Sequence, residues 1–346
     1  MELQRKVRVL SRLGDFFDSL TQKSDCDWEE SLKDHIEKGR EVIQKAKHQN
    51  AWFTPEAVKM AISAWATSLN EKEIEAWLKS YDFAAKPKIV GVIMAGNIPL
   101  VGLHDALAVI VCGHELRAKL SSKDQMLMQF VLETLALLDE EFDKQIQIVE
   151  RLNDIDYLIA TGSDNSARYF DYYFKNKRKL LRKNRTSVAL LDGTETKEQL
   201  NGLAADVFTY FGLGCRNITK VYLPEGFDKD LLFGAFFAYK HYAEHNAYAN
   251  NYDYNKAVYL LNSIELLENG FLLLKEDEGL HSPVGVLFYE EYDSFEQVEK
   301  DLEAKQEQIQ CIVSNQEKHF DYGEAQKPKL WDYADGVDTL AFLLEN

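Results

Sequence analysis

Residues 88–121 read KIVGVIMAGNIPLVGLHDALAVIVCGHELRAKLS. KIVGVIMAG (88–96) is a short apolar run of strand length and reads as a buried strand. LHDALAVIVCG (103–113) reads as a helix ending at Gly113, and ELRAKLS (115–121) as the next strand. The apolar stretch 89–113 is interrupted by Asn97, Pro99, His104 and Asp105, which fits a strand, a turn and a helix in a protein core better than a membrane span. The alternation continues outward. KDQMLMQFVLETLALLDEEF (123–142) reads as one long amphipathic helix, DYLIATGS (156–163) as a strand running into a Gly-Ser turn, DNSARYFDYYF (164–174) as a helix and TSVALLDG (186–193) as a strand. Alternation of this kind is the pattern of an α/β fold with a parallel, doubly wound sheet.

On the N-terminal side the first 80 or so residues read as helical. Thr54-Pro55-Glu56 is a start signal, in which Thr caps, Pro suits the first helical position and Glu suits the positive end of the dipole. Past Gly193 a helix (195–211) leads to a cysteine turn, ITKVYLP (218–224) is a strand, and residues 228–268 are mostly helical and aromatic. PVGVLFYEEY (283–292) and QIQCIVS (308–314) read as strands, with a helix from Ser294 between them. The expected organisation is a helical segment 1–85, a region of alternating strands and helices 86–193, a second region 194–328 and a tail 329–346. A site between the two larger regions is the default expectation.

The net charge of −17 and an isoelectric point near 5.0 argue against a nucleic-acid partner and against a polybasic membrane anchor. The one strongly basic run, KNKRKLLRKNR (175–185), reads as a solvated helix face and the loop after it, with a pocket for a phosphorylated cofactor as the other reading. Four cysteines, Cys26, Cys112, Cys215 and Cys311, are scattered without a CxxC pair, so neither a zinc site nor a disulfide framework is expected. The N-terminal stretch has no long apolar run of the signal-peptide kind. These features together point to the reducing cytosol.

FTYFGLGCRNITKVYLP (208–224) sets Cys215 behind a Gly-Leu-Gly turn, between a helix and a strand. A nucleophilic thiol needs exposure or a lowered pKa, and the glycines let a ligand approach. The competing reading is an ordinary cysteine in a turn. Cys112 and Cys311 sit in an apolar helix and an apolar strand and read as core. Asn97, in AGNIP (95–99), can aim its amide at an oxyanion or can simply cap a turn. Lys119 at a strand end can reach a cofactor ribose or phosphate, or face solvent. Gly162-Ser163 opens a helix with backbone N–H groups that favour an anion, though it is not a GxGxxG fingerprint. His241 and His245 share a helix face without the HExxH order, and packing is the better reading of them. His104-Asp105 reads as a cap or a core polar pair, with a proton carrier as the minority reading, and His281 could approach from the second region. The aromatics of 233–259 could line a tunnel or pack a core.

Taken in order, NAWFTPEAV (50–58), AGNIPLVGLHDAL (95–107), ELRAKLSSKD (115–124), DIDYLIATGSDNSAR (154–168), FTYFGLGCRNITKVYLP, SPVGVLFYEEYDSFEQV (282–298) and KLWDYADGVDTLAFL (329–343) resemble the aldehyde dehydrogenase superfamily. More closely, they resemble the long-chain acyl-CoA reductases that supply fatty aldehyde in bacterial bioluminescence. The resemblance runs from about Trp52 to the C-terminus and implies a Rossmann-type cofactor domain plus an α/β catalytic domain, behind a helical N-terminal segment. It implies Cys215 as the nucleophile, Asn97 in the oxyanion hole, Lys119 and Ser121 on the adenosine ribose, and Gly162 and Ser163 near the pyrophosphate.

Two departures bear on the reaction. Aldehyde-oxidising relatives carry a water-activating glutamate in a Glu-Leu-Gly-Gly-Lys stretch, and the corresponding RKNRTSVALLDG (182–193) has no carboxylate before the strand. They also hold the nicotinamide ribose with a glutamate, where the register here puts Gly279 rather than Glu278. The chain is shorter than typical members, which implies a reduced oligomerisation arm. The function implied is reduction of an acyl-CoA or acyl-carrier thioester to aldehyde with NADPH, or with NADH, through a thioacyl-cysteine. The implied assembly is a homo-oligomer or a complex with acyl-transferring partners. Two other readings stay open: acyl transfer or thioester hydrolysis on the same cysteine, and a silent relative that binds acyl-CoA or a partner.

Overall fold

The structure is a computed structural model that describes residues 3–22, 27–83, 86–162 and 164–345. Cys26 and Ser163 lie outside the described residues. The chain falls into two compact units. One runs to Lys183 and takes in the chain again from Lys329, and the other is Asn184–Pro328.

In the first unit, α1 (Leu3–Thr21), α2 (Glu30–Gln49), α3 (Pro55–Ser68) and α4 (Glu71–Leu78) come first. The Thr54 hydroxyl accepts the Ala57 N–H with Pro55 at the first helical position, as the start signal requires. These helices bury Leu10, Leu13, Phe16, Phe17, Ile43, Val58 and Trp77 in the same core as the sheet that follows. That sheet comprises β1 (Ile89–Ile93), β2 (Glu115–Lys119), β3 (Ile146–Ile148), β4 (Tyr157–Thr161) and β5 (Arg178–Arg182). The order is β3-β2-β1-β4-β5, and every pairing is parallel. The connecting helices are α5 (Leu103–Val111), α6 (Gln125–Leu138), α7 (Glu140–Gln145) and α8 (Asp164–Tyr173).

Two sequence expectations change here. The helix over 123–142 is two helices. Asp139 is extended (φ −156°, ψ 126°) and its carboxylate accepts the Glu141 N–H at 2.8 Å, so an aspartate suited to capping ends one helix and starts the next. The basic run 175–185 is not a helix face: Arg178–Arg182 is an edge strand paired with β4, with Leu180 and Arg182 buried. The C-terminal segment is likewise built into this unit. Its helix, Thr339–Leu344, follows a stretch in which the Leu330 carbonyl meets His104 Nε2 at 2.8 Å.

The second unit contains β6 (Thr186–Leu190), α9 (Lys197–Phe208), β7 (Ile218–Pro224), α10 (Asp230–Phe236) and α11 (Asn246–Leu261). It continues with β8 (Leu267–Glu268), β9 (Leu273–Glu276), β10 (Val286–Tyr292), α12 (Phe295–Ala304) and β11 (Ile309–Val313). The sheet order is β11-β6-β7-β10-β9-β8, parallel except for the β8–β9 hairpin. β6, read from sequence as the last strand of the 86–193 region, pairs here with β7 and β11. All five of its residues are buried, which an inner strand with both edges paired achieves. Among the described residues, no helix is long and apolar enough to cross a membrane.

Candidate active site

In the second unit, the residues around Cys215 form a tightly specified turn. α9 begins on a capping box between Thr196 and Gln199 and ends at Phe208. The chain then passes through three consecutive left-handed residues: Tyr210 (φ 53°), Phe211 (φ 59°) and Gly212 (φ 78°). Glycine adopts this conformation freely, but a tyrosine and a phenylalanine there store about 1–3 kcal/mol each. Aromatic packing holds the phenylalanine. The Phe211 ring lies 4.4 Å from Tyr242 and 4.5 Å from His245, and Phe208 stacks on Tyr239 at 4.8 Å. The aromatics of 233–259 that touch this turn therefore act as its packing.

Hydrogen bonds then fix the thiol's backbone. Asn217 is fully buried. Its Oδ1 accepts the Gly214 N–H at 2.7 Å, and its Nδ2 reaches the carbonyls of Asp206, Val207 and Thr209 at 3.1, 3.2 and 2.8 Å. On the other side the Ser187 hydroxyl of β6 donates to the Cys215 carbonyl at 2.9 Å and lies 3.0 Å from the Cys311 sulfur. Arg216 turns the other way: its Nε donates to the Ala325 carbonyl at 2.5 Å and its guanidinium lies 4.8 Å from the Phe320 ring centre. Asp206, fully buried, accepts the N–H groups of Gly323 and Ala325, and burial pushes its carboxyl up to about 6.

The three described cysteines separate clearly. Cys215 is exposed, whereas Cys112 and Cys311 are buried. Burial pushes the Cys112 thiol up to about 12 and the Cys311 thiol to about 11. Both are apolar core groups, and Cys215 is the one of the three presented to solvent.

In the first unit, the candidate residues collect at the carboxyl ends of β1, β2 and β4. β1 lies between β2 and β4, so the strand order reverses there, and crevices at such reversals are where open parallel sheets bind ligands. Asn97 is exposed on the turn after β1, Lys119 is exposed at the end of β2, and Gly162 follows β4, donating its N–H to the Arg182 carbonyl at 3.3 Å. Ser121 packs against Gly96: a Cβ on that glycine would stand 2.5 Å from the Ser121 oxygen. The turn carrying Asn97 is braced from two sides. Asn50 Nδ2 donates to the Gly96 carbonyl at 3.4 Å, and the buried Asp124 accepts the Leu100 N–H at 2.9 Å.

The histidines take structural positions. His245 caps α11, its Nδ1 accepting the Tyr248 N–H at 3.3 Å, and His241 Nδ1 lies 3.2 Å from the Ala238 carbonyl. His104 is held on the Leu330 carbonyl among Trp65, Trp77 and Tyr333, and burial lowers its pKa. Its neighbour Asp105 forms a buried ion pair with Arg182 at 2.7 Å, so the two residues pair with separate partners rather than with each other. His281 is exposed at the end of the loop before β10. Gly279 donates to Asp277 at 2.7 Å, and a Cβ there would meet that carboxylate at 2.9 Å. Sequence reasoning passed over Asn217, Ser187 and Asp124. Only Asn217 has a local signal, an amide two residues after the cysteine, because the other two act on residues distant in the chain.

No known family's sequence pattern matches the chain, and no curated protein matches it. Solved structures do. Aldehyde dehydrogenase 21 from Physcomitrella patens, in complex with succinate, aligns over 92% of this chain and 74% of its own, with a TM-score of 0.66 and 13% identity. Indole-3-acetaldehyde dehydrogenase from P. syringae, an alanine variant with NAD+ and IAA, aligns over 93% and 78%, again at 0.66 and 13%. A Mycobacterium tuberculosis aldehyde dehydrogenase with NAD+ aligns over 91% and 73%, at 0.61 and 13%. The fold is that of the aldehyde dehydrogenases.

Proposed function

We propose that the chain reduces an acyl thioester, a long-chain acyl-CoA or acyl-carrier conjugate, to the aldehyde through a thioacyl intermediate on Cys215. The observation that carries the reading is the exposed thiol on a strained, hydrogen-bonded turn within an aldehyde dehydrogenase fold. The direction rests on the segment before β6. It offers Arg182, Lys183, Asn184 and Arg185 and no carboxylate to activate water, and Arg185 is spent on the carbonyls of Gln306 and Ile309. An acyl-enzyme with no base beside it to activate water survives to be reduced.

The Cys215 thiolate attacks the thioester carbonyl. The Asn97 amide and a backbone N–H of the cysteine turn take the oxyanion, and the bond to the CoA or carrier sulfur breaks with loss of that thiolate. Gly214 is not that donor, since its N–H is held by Asn217. Lys119 and Gly162 fit a nicotinamide dinucleotide: an exposed ammonium and a glycine turn stand at the carboxyl edge of a parallel sheet, where its ribose and pyrophosphate would lie. Ser121 would contact the same ribose, and Ser163 the pyrophosphate. The exposed Lys119 favours NADPH, with NADH as the other candidate. When bound, the reduced nicotinamide supplies the hydride that takes the thioacyl carbon to the aldehyde level. Breaking the carbon–sulfur bond then frees the aldehyde and returns Cys215. Such an enzyme would work in the reducing cytosol, as a homo-oligomer or in a complex with acyl-transferring partners.

The test is NADPH and NADH oxidation with a panel of acyl-CoAs, with the aldehyde trapped, beside Cys215→Ala. Oxidation that needs both the acyl-CoA and Cys215, with aldehyde formed, supports the reading. Nucleotide-independent acyl transfer or hydrolysis would replace it, as would acyl-CoA binding without any turnover.

A further inference from the structure

We propose that Asp124 is the positioning residue of the Asn97 loop: its buried carboxyl, by accepting the Leu100 N–H, sets the turn from which the Asn97 amide projects. The inference rests on the reading of Asn97 as an oxyanion donor.

The geometry is as follows. After β1 the chain crosses Gly96, Asn97, Ile98 and Pro99 and then enters Leu100 with φ 59°. Leucine in that region is strained, so something must hold it. Leu100 is itself 1% exposed, and its carbonyl accepts the Leu103 N–H at 3.0 Å, which begins α5. Its own N–H is bonded to a side chain and not to a helix or strand carbonyl. Asp124, 1% exposed, supplies the acceptor at 2.9 Å. Asp124 stands immediately before α6, where an aspartate ordinarily caps its own helix, yet its side chain makes no cap bond there. It has given up the local role for one 24 residues away in the chain.

Two further contacts tie the same aspartate to the loop. Its N–H donates to the Ser121 carbonyl at 3.1 Å, closing the turn that packs on Gly96. A Cβ on Gly96 would stand 3.2 Å from the Asp124 Cβ, so the residue before Asn97 lies directly against this aspartate. Asp124 Oδ1 is buried and has no hydrogen-bond partner among the described residues. A fold that needed only to be stable has no use for a half-satisfied buried carboxyl; a turn that must keep Leu100 in a left-handed conformation does.

The experiment compares Asp124→Ala, which deletes the acceptor, Asp124→Asn, which keeps it, Asn97→Ala, and the double variant Asn97→Ala/Asp124→Ala. Amide hydrogen exchange of peptides covering 94–103 reads the loop directly. Asp124→Ala is expected to speed exchange there, and Asp124→Asn to leave it near wild type. On the acyl-CoA reaction, Asp124→Ala is expected to lower kcat about 10- to 100-fold with little change in KM, the size of a misplaced catalytic group. Asp124→Asn should restore most of it. In the Asn97→Ala background the Asp124→Ala change should lose less than about twofold more, because the residue it positions is gone. Unchanged exchange in Asp124→Ala overturns the proposal. So does a full, additive loss in the double variant, which would make Asp124 a support of the fold alone. A wild-type protein with no acyl-CoA reduction would sink the functional reading, and the exchange comparison would still decide whether Asp124 holds the loop.

Discussion

Asn217 Oδ1 accepts the N–H of Gly214 at 2.7 Å, one residue before the exposed thiol, while its Nδ2 reaches back to the end of α9. One buried side chain thus joins the helix that enters the left-handed turn to the turn's far side. Asn217→Ala leaves the Gly214 N–H and several carbonyls without partners, and we expect a loss of about 2–4 kcal/mol in chemical denaturation. Asn217→Asp should do no better, since a carboxylate offers no donor to the carbonyls of Val207 and Thr209 and would be repelled by them. A denaturation midpoint within error of wild type in both variants would remove Asn217 from this account.

Thiol reactivity should follow exposure. In the native protein, iodoacetamide is expected to modify Cys215 while Cys112 and Cys311 remain unmodified, because burial pushes their thiols to about 12 and about 11 and leaves little thiolate at neutral pH. Peptide mapping reads each cysteine separately. Modification of Cys311 at a rate matching Cys215 would mean that β11 opens readily around its central residue.

Arg182 and Asp105 form an ion pair at 2.7 Å with side chains 5% and 11% exposed. Arg182 also donates to the Ala334 carbonyl and the Thr339 hydroxyl at 2.7 and 2.8 Å, fastening the C-terminal segment to β5. Arg182→Ala strands a buried carboxylate and should lower stability by about 3–5 kcal/mol. Arg182→Met/Asp105→Leu should recover part of that loss and not all of it, since the contacts to 334 and 339 remain broken. Limited proteolysis should cut the C-terminal segment sooner in the single variant. Equal stability of Arg182→Ala and wild type would contradict this role.

The first sheet was legible because β1 and β4 are short, mostly apolar runs of strand length that alternate with helices. The cysteine turn was legible from its glycines. Arg178–Arg182 was hidden because its five residues carry three cations, and only the pairing with β4 and the partner Asp105, 77 residues away, make a strand of them. The break in the helix over 123–142 turned on one aspartate whose cap bond competes with helix continuation. Left-handed Tyr210 and Phe211 carry no glycine signal; at Phe211, packing against Tyr242 and His245 enforces the conformation. Asp124 looks like a cap in the sequence, and its true partner is 24 residues upstream.

Asp124 should also write itself into the pH dependence of stability. Burial pushes its carboxyl up to about 8, with the Leu100 N–H pulling the other way more weakly. In the unfolded chain an aspartate loses its proton near pH 4, so between about pH 4 and 8 the native state binds more protons than the unfolded one. Stability contributed by this group is therefore fully present below about pH 4 and falls as pH rises, up to about 1.4 kcal/mol per pH unit, until it levels above about pH 8. Asn at this position keeps the acceptor for Leu100 and cannot ionise. The difference in unfolding free energy between Asp124→Asn and wild type should consequently grow in favour of the variant from pH 5 to pH 8 and then flatten. Denaturation series at matched ionic strength measure it. A difference that stays constant across that range would show that Asp124 is charged in the native protein at neutral pH, with its second oxygen satisfied by a group that moves to meet it.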